Sequence, residues 1–298
     1  MSDYPIVHYV NQFTNNLELL LQQQDSRLVD TVFVKGGYVG KSAVPVEQFG
    51  SVAMVERTAR LVPRTFTSVP TDRRWVSPRD FNLATAVDLV DQLRTLINPQ
   101  AGHLLAVHAA AKRCKDQVII DSLFADALTG QAAGTTVAWA DQTAQIIAQT
   151  YGTGSTASGL NVAKLKHTMK IFMQNYVDLD NDPITCIITA AQNENLLNEI
   201  QVINSQYNGS YTRDEAGRLK RFLCFNFVHS ELIPTDGTYR RVPVYAKSGM
   251  HLGMWLDLRV EINPRYDLEG NPYQLVVDTT LGATRLQEKK VVEIKCAE

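Results

Sequence analysis

The chain has 298 residues, 45% of them apolar, with 29 basic against 31 acidic side chains. That length and apolar share supply a core for one large domain or two smaller ones and exclude a disordered polymer. A formal charge of −2 gives no overall reason to expect wrapping by nucleic acid or adhesion to a membrane.

Residues 1–30 carry an apolar stripe, Ile6, Val10, Phe13, Leu17 and Leu20, spaced four, three, four and three, which predicts a helical seam in need of a partner. Asp3, Glu18, Asp25 and Asp30 against Arg27 leave this arm at −3. Two placements are open, packing on its own subunit or lying across a neighbour.

From Thr31 to about Phe81 the texture is strand and turn. Short apolar runs are punctuated by Gly36-Gly37, Gly40 and Gly50, and Pro45, Pro63, Pro70 and Pro78 forbid a continuous interior sheet. Eight basic against four acidic residues leave residues 31–80 at +4, a basic ribbon next to an acidic arm. Such a ribbon cannot make a core alone, because an isolated two-stranded hairpin is marginal in water. It is either a flap on its own body or a ribbon docked on an adjacent subunit.

Leu83, Val87, Val90 and Leu93 predict an amphipathic helix over 82–97. A longer helix follows from Asn98 to Gly130, with Asn98 as cap, Pro99 in the first turn and Gly130 as a left-handed stop. Leu104, Val107, Ala111, Val118, Ile119, Leu123 and Phe124 recur on one face. At ~1.5 Å per residue it is roughly 45 Å long, either a core helix of an α+β enzyme or the strut of an elongated, assembly-forming subunit.

The loop 152–159, GTGSTASG, is flexible by composition. Asn161 to Val177 predicts a helix capped by Asn161, Ile184 to Ala190 a buried strand, and Ala191 to Val202 a helix. Beyond these the chain reads as sheet, with strands over Arg221–Val228, 256–262, Tyr273–Thr280 and Val291–Lys295. In 256–262, Leu256, Leu258, Val260 and Ile262 form the buried face, opposite Asp257, Arg259 and Glu261. No 20–50-residue repeat is visible and no Ser/Pro-rich linker splits the chain, so one interleaved α+β body with an arm and a ribbon is predicted.

Motifs for chemistry fail on spacing. Gly36-Gly37-Tyr38-Val39-Gly40-Lys41-Ser42 lacks the first glycine of a phosphate loop, which would fall at Lys35, and Pro45 blocks the helix that must follow. Asp178, Asp180 and Asp182 start like a calcium loop, but Pro183 and Thr189 stand where its glycine and glutamate belong, so a solvated turn is the better reading. The six histidines include no i, i+4 pair, no GxSxG elbow occurs, and no cysteine has an identifiable base. Cys114, Cys186, Cys224 and Cys296 are dispersed and read as reduced, mostly buried thiols. With no leader pattern and no apolar run near ~20 residues, cytoplasmic synthesis is predicted and no membrane association. No catalytic, cofactor or metal residues are assigned.

Five segments, HYVNQFTNNLELLLQQQDSRL at 8–28, GGYVGKSAVPVEQFG at 36–50, DRRWVSPRDF at 72–81, LRTLINPQ at 93–100 and LGATRLQEKKVVEIKC at 281–296, together resemble the major capsid proteins of tailed double-stranded DNA bacteriophages. The likeness is closest to short-tailed phages with the HK97-like capsid fold. It implies an N-terminal arm at 1–30, an extended loop at 31–80, a peripheral domain at 81–160 with the 98–130 helix as spine, an axial domain at 161–250, and C-terminal strands at 251–298 that return to the peripheral domain.

The resemblance further implies an icosahedral shell of hexamers and pentamers around phage DNA, assembled in the host cytoplasm, with a portal, a decoration protein and limited nonspecific DNA contact. A separately encoded scaffolding protein is expected, because the sequence begins almost directly with the arm. Covalent cross-linking is not predicted, although Lys35 and Lys41 would be its ribbon candidates. Candidate subunit-interface residues are Ile6, Val10, Phe13, Leu17, Tyr38, Val39, Lys41, Glu47, Arg57, Arg60 and Arg64. The competing class is a soluble α+β enzyme or ligand-binding protein with a pocket near 152–202; a tail or portal component would need a longer coiled-coil or β-tube pattern.

Overall fold

The structure, a computed structural model, describes residues 22–57, 60, 63, 64, 66–87, 99–203, 212, 213, 217–269 and 271–298. The predicted seam of Ile6, Val10, Phe13 and Leu17 lies outside them. The chain divides into two compact units rather than the single body predicted. Among the described residues, one holds 22–25, 81–87, 99–113 and 258–279; the other holds those of 26–80, 114–257 and 280–298. Both draw on distant stretches, so the chain is interleaved as expected.

The larger unit is organised by an eight-stranded sheet. Its strands are β7 (Ile146–Ile147), β8 (Ile184–Ile188), β9 (Thr212–Arg213), β10 (Leu219–Phe222), β11 (Phe225–His229), β12 (Thr235–Asp236), β13 (Tyr239–Ala246) and β16 (Val291–Ala297). The order is β7-β16-β13-β8-β11-β10-β9, with β12 added to β13. All five residues of β8 are buried, as the unbroken ITCII run requires of a central strand. Alternate residues form one core face, Cys186 and Ile188 with Val242, Val244, Val292, Ile294, Phe225 and Phe227.

Helices α2 (Val162–Gln174) and α3 (Ala190–Leu197) bring Leu165, Ile171, Phe172 and Leu196 into the same cluster. Asn161 caps α2 as predicted, its side chain accepting from Lys164 N at 2.8 Å. The helix expected over Ala191–Val202 is two pieces, α3 and the short α4 (Ile200–Ile203). The strand expected over Arg221–Val228 is a hairpin, β10 and β11, turning at Leu223-Cys224.

The loop 152–159 is exposed over 152–157 and tied to the body at its end. Lys164, fully buried, donates Nζ to Ser158 O at 2.7 Å, Gly159 O at 2.9 Å and Lys295 O at 3.1 Å. Burial lowers its pKa, and the three carbonyls solvate the ammonium in place of water.

The long helix α1 runs from Pro99 to Leu123, not to Gly130. Arg285 ends it by donating Nη1 to the carbonyls of Leu123 (2.8 Å) and Ala125 (2.9 Å). Phe124 then turns aside to Trp139, ring centroids 5.4 Å apart. Gly130, at φ +88°, serves the turn between β5 (Ala127–Thr129) and β6 (Thr135–Val137). Val107, Val118, Ile119 and Leu123 are buried as predicted, whereas Leu104 is exposed.

Residues 82–87 are not helical. They belong to strand β4 (Arg79–Val87) of a second sheet, β1 (Phe33–Gly36), β14 (Met250–Pro264), β15 (Tyr273–Arg285) and β4 in that order. The helical spacing of Leu83 and Val87 is overridden by ladder pairing with β15. Residues 88–97 of the predicted helix lie outside the described residues. On β14 the alternating pattern holds only in part: Leu258 packs on Val107, Leu275 and Val277, while Leu256, Val260 and Ile262 are exposed.

Candidate inter-subunit ribbon

The third sheet carries the ribbon. Strands β2 (Ala43–Phe49) and β3 (Thr71–Val76) pair antiparallel, from Ala43 opposite Val76 to Phe49 opposite Thr71, with a register shift where Pro45 stands. The order β2-β3-β5-β6 makes β2 an edge, where a proline without an amide donor is tolerated. The Gly50 amide donates to Pro70 O at 2.7 Å and closes the paired part.

Two devices hold the base of the ribbon. At its start, Gly37 and Gly40 take positive φ (+77° and +100°) and swing Tyr38 back against β14. The Tyr38 ring lies 5.2 Å from Trp255 and edge-on at 5.8 Å to His251, its hydroxyl is 3.1 Å from His251 Nε2, and Trp255 Nε1 donates to Gly40 O at 2.9 Å. A Cβ on Gly253 would reach 3.0 Å from the Tyr38 ring, so glycine is needed for the approach. Burial raises the Tyr38 pKa, and burial with help from Lys35 pushes His251 down to about 4.

At the ribbon's return, Asp72 latches β3 to the β5–β6 turn. It accepts from the amides of Arg73 (2.7 Å) and Gly130 (3.0 Å) and from the Thr129 hydroxyl (3.0 Å). Burial opposes the charge, yet these donors and Arg74 hold its pKa below the usual carboxylate value. Trp75 Nε1 donates to Gly130 O at 2.7 Å. Arg74 Nη2, buried, meets Oε2 of the largely buried Glu288 at 2.8 Å, and Arg285 Nε lies 3.7 Å from Glu288 Oε1. The sequence marks none of these partners, although DRRW inside a strand is a dense polar cluster for a surface flap.

Beyond Gly50 the described residues lose this support. Val52, Met54, Val55, Phe66 and Val69 are exposed, Met54 and Phe66 fully so, as is Phe49 at the end of β2, and Arg57, Arg60 and Arg64 share the tip. A soluble monomer rarely shows so many large apolar groups together. The predicted interface residues therefore separate. Tyr38 folds into its own chain's clasp, Glu47 pairs across the strands with Arg73 at 2.8 Å, and Val39, Lys41 and the three tip arginines face solvent.

Among the described residues no three metal-ligating side chains cluster, and no helix is long and apolar enough to cross a membrane. In the groove nearest the region 152–202, both ring nitrogens of His229 are engaged, by Glu231 at 2.8 Å and Arg27 at 3.0 Å, and the first amide of α3, Ala190 N, is taken by Glu231 at 2.7 Å.

A long helix, a ribbon and interleaved sheets define the HK97-like capsid fold, and comparison with solved structures agrees. The chain superposes on the capsid of cyanophage P-SCSP1u with a TM-score of 0.75 at 14% identity, covering 98% of this chain and 94% of that one. Mycobacterium phage Che8 gives 0.70 at 12% identity, covering 97% and 98%, and the capsid of Ralstonia phage GP4 gives 0.67 at 10%, covering 100% and 98%. No curated protein matches the sequence. The family model described as phage capsid protein matches residues 6–298, so the chain belongs to the phage capsid protein family, in the role of a major capsid protein.

Proposed function

We propose that this subunit closes an icosahedral shell of hexamers and pentamers around double-stranded DNA by laying its β2–β3 ribbon over a neighbouring copy, without catalysing a reaction. The observation that carries this is the contrast within the ribbon: a base pinned by Asp72, Arg74 and Trp75, and a tip that exposes Met54, Val55 and Phe66. Full burial of one such side chain is worth about 1.5–3 kcal/mol, so a sibling surface that covers several of them supplies a substantial drive to associate. The basic tip and the acidic arm add register more than affinity.

In this reading residues 1–30 are the arm, 31–80 the extended loop, 81–160 the peripheral domain, 161–250 the axial domain and 251–298 the returning strands. Assembly takes place in the cytoplasm of the host of a short-tailed phage, with a separate scaffolding protein and a portal as partners. Contact with the packaged DNA is nonspecific and limited by the slightly negative net charge. Replacing residues 51–69 by a short Gly-Ser turn tests the core of the proposal. The shortened chain is expected to stay folded and monomeric where the full chain forms particles; particles of unchanged size and yield would refute it.

A further inference from the structure

We propose that the loop after α2 and a groove at the far end of β8 are the two halves of a head-to-tail contact between copies of this chain, a contact separate from the ribbon. Tyr176 is the starting point. It sits just past the C-cap Asn175, where Val177 N donates to Phe172 O at 3.0 Å and Tyr176 N to Met173 O at 3.1 Å. This closure puts the residue in the left-handed region, and glycine is its usual occupant. Here a tyrosine holds φ +56° with its side chain 96% exposed, next to a half-exposed Met173. The strain brings no packing within the subunit, and uncompensated strain of this kind marks sites of function.

The same loop is acidic. Asp178 and Asp180 are exposed, and Asp178 fixes the loop's shape by accepting from the amides of Asp180 and Asn181 at 3.1 Å. The groove has the complementary character. It is an open groove of about 740 Å³ over Ile188, Leu219 and Phe227, lined also by Arg27, Arg218, Lys220 and His229, the last paired with Glu231 at 2.8 Å.

Topology keeps the two apart within one chain. The loop enters β8 at Ile184, whereas the groove opens at Ile188, where the parallel strand β11 delivers His229. About 15 Å of wholly buried strand separates them. One copy therefore offers its tyrosine to one neighbour and its groove to another, a heterologous contact that closes into a ring. An apolar knob with an acidic shoulder suits an apolar-floored groove with a basic rim, and the occupant we assign is a second copy of this chain.

The inference rests on the reading of the chain as a shell subunit, and one set of full-length variants separates the two. Tyr176→Gly relieves the strain, so the unassembled subunit is expected to melt about 2 °C higher, while the concentration at half-assembly, read by light scattering and negative-stain microscopy, rises at least tenfold. Asp180→Lys and Lys220→Glu each weaken assembly, and the double variant recovers it. Should the unaltered chain remain monomeric, the shell reading itself fails. If the unaltered chain assembles but Tyr176→Gly assembles at the same concentration, or the charge-swapped double variant shows no recovery, the head-to-tail contact is overturned and the shell reading stands.

Discussion

Arg74, on the returning strand of the ribbon, and Glu288, beside the C-terminal strand, form a buried ion pair at 2.8 Å across 214 positions of sequence. The same carboxylate is the nearest counter-charge to buried Arg285. Two buried guanidinium groups thus share one glutamate, with Asp126 a further negative charge near Arg285. Glu288→Gln leaves both short of negative charge, and removal of one partner of a buried pair costs about 3–5 kcal/mol. A loss of that size is expected in chemical denaturation. Arg74→Met with Glu288→Leu should cost less than Glu288→Gln alone, since Arg74 is then no longer stranded and only Arg285 loses a counter-charge.

A second anchor joins the chain's early residues to α1. Asp116, fully buried, accepts from the amides of Arg27 (3.0 Å) and Leu28 (3.2 Å) and from the Ser26 hydroxyl (2.5 Å). Asp116→Ala leaves those donors unmet at about 1–3 kcal/mol each if they stay dry. The expected result is partial release instead, read as faster proteolysis at 22–31 and a stability loss of about 2–4 kcal/mol. Unchanged cleavage would show that other contacts hold this stretch.

The sequence displays these anchors poorly, because each joins residues far apart. Local signals read well: Asn161 caps its helix, the unbroken apolar run is the central strand, and Gly37 and Gly40 bend the chain, although Gly36 ends a strand. What misleads is competition from the rest of the fold. Gly130 has every local qualification as a helix stop, yet Arg285 takes the last carbonyl of α1, Leu123 O, seven residues earlier, together with Ala125 O just beyond it. Leu83 and Val87 keep a helical period but pair in a ladder. The ribbon was legible as a coreless, basic stretch. Its base was not, since Glu288, Gly130 and His251 come from other parts of the chain.

His251 makes stability depend on acidity. Its pKa is pushed to about 4 in the folded chain, against 6.5 when exposed, so the unfolded chain binds the extra proton first. Its contribution is complete above pH 6.5 and falls as pH drops toward 4, by up to about 3 kcal/mol. Below pH 4 this group changes nothing further. Denaturation midpoints measured from pH 7 to 4 should decline steeply for the unaltered chain and less so for His251→Gln, provided the glutamine keeps the hydrogen bond to Tyr38. Parallel declines would place the acid sensitivity elsewhere.

The ribbon tip supplies the sharpest separation of folding from assembly. Met54 and Phe66 are fully exposed, so their removal takes nothing from the isolated subunit's core. Met54→Ser with Phe66→Ser should leave its stability within about 0.5 kcal/mol. If a neighbour covers both side chains, the same pair of changes removes about 3–6 kcal/mol from each contact, at about 1.5–3 kcal/mol per side chain. A subunit makes that contact once as donor and once as acceptor, so the loss repeats around a ring, and particles should give way to soluble monomer. Sedimentation of the doubly changed protein beside the unaltered one reads both effects. A destabilised monomer would mean that the tip already packs on its own body, which is the flap reading of the sequence and the end of the docked one.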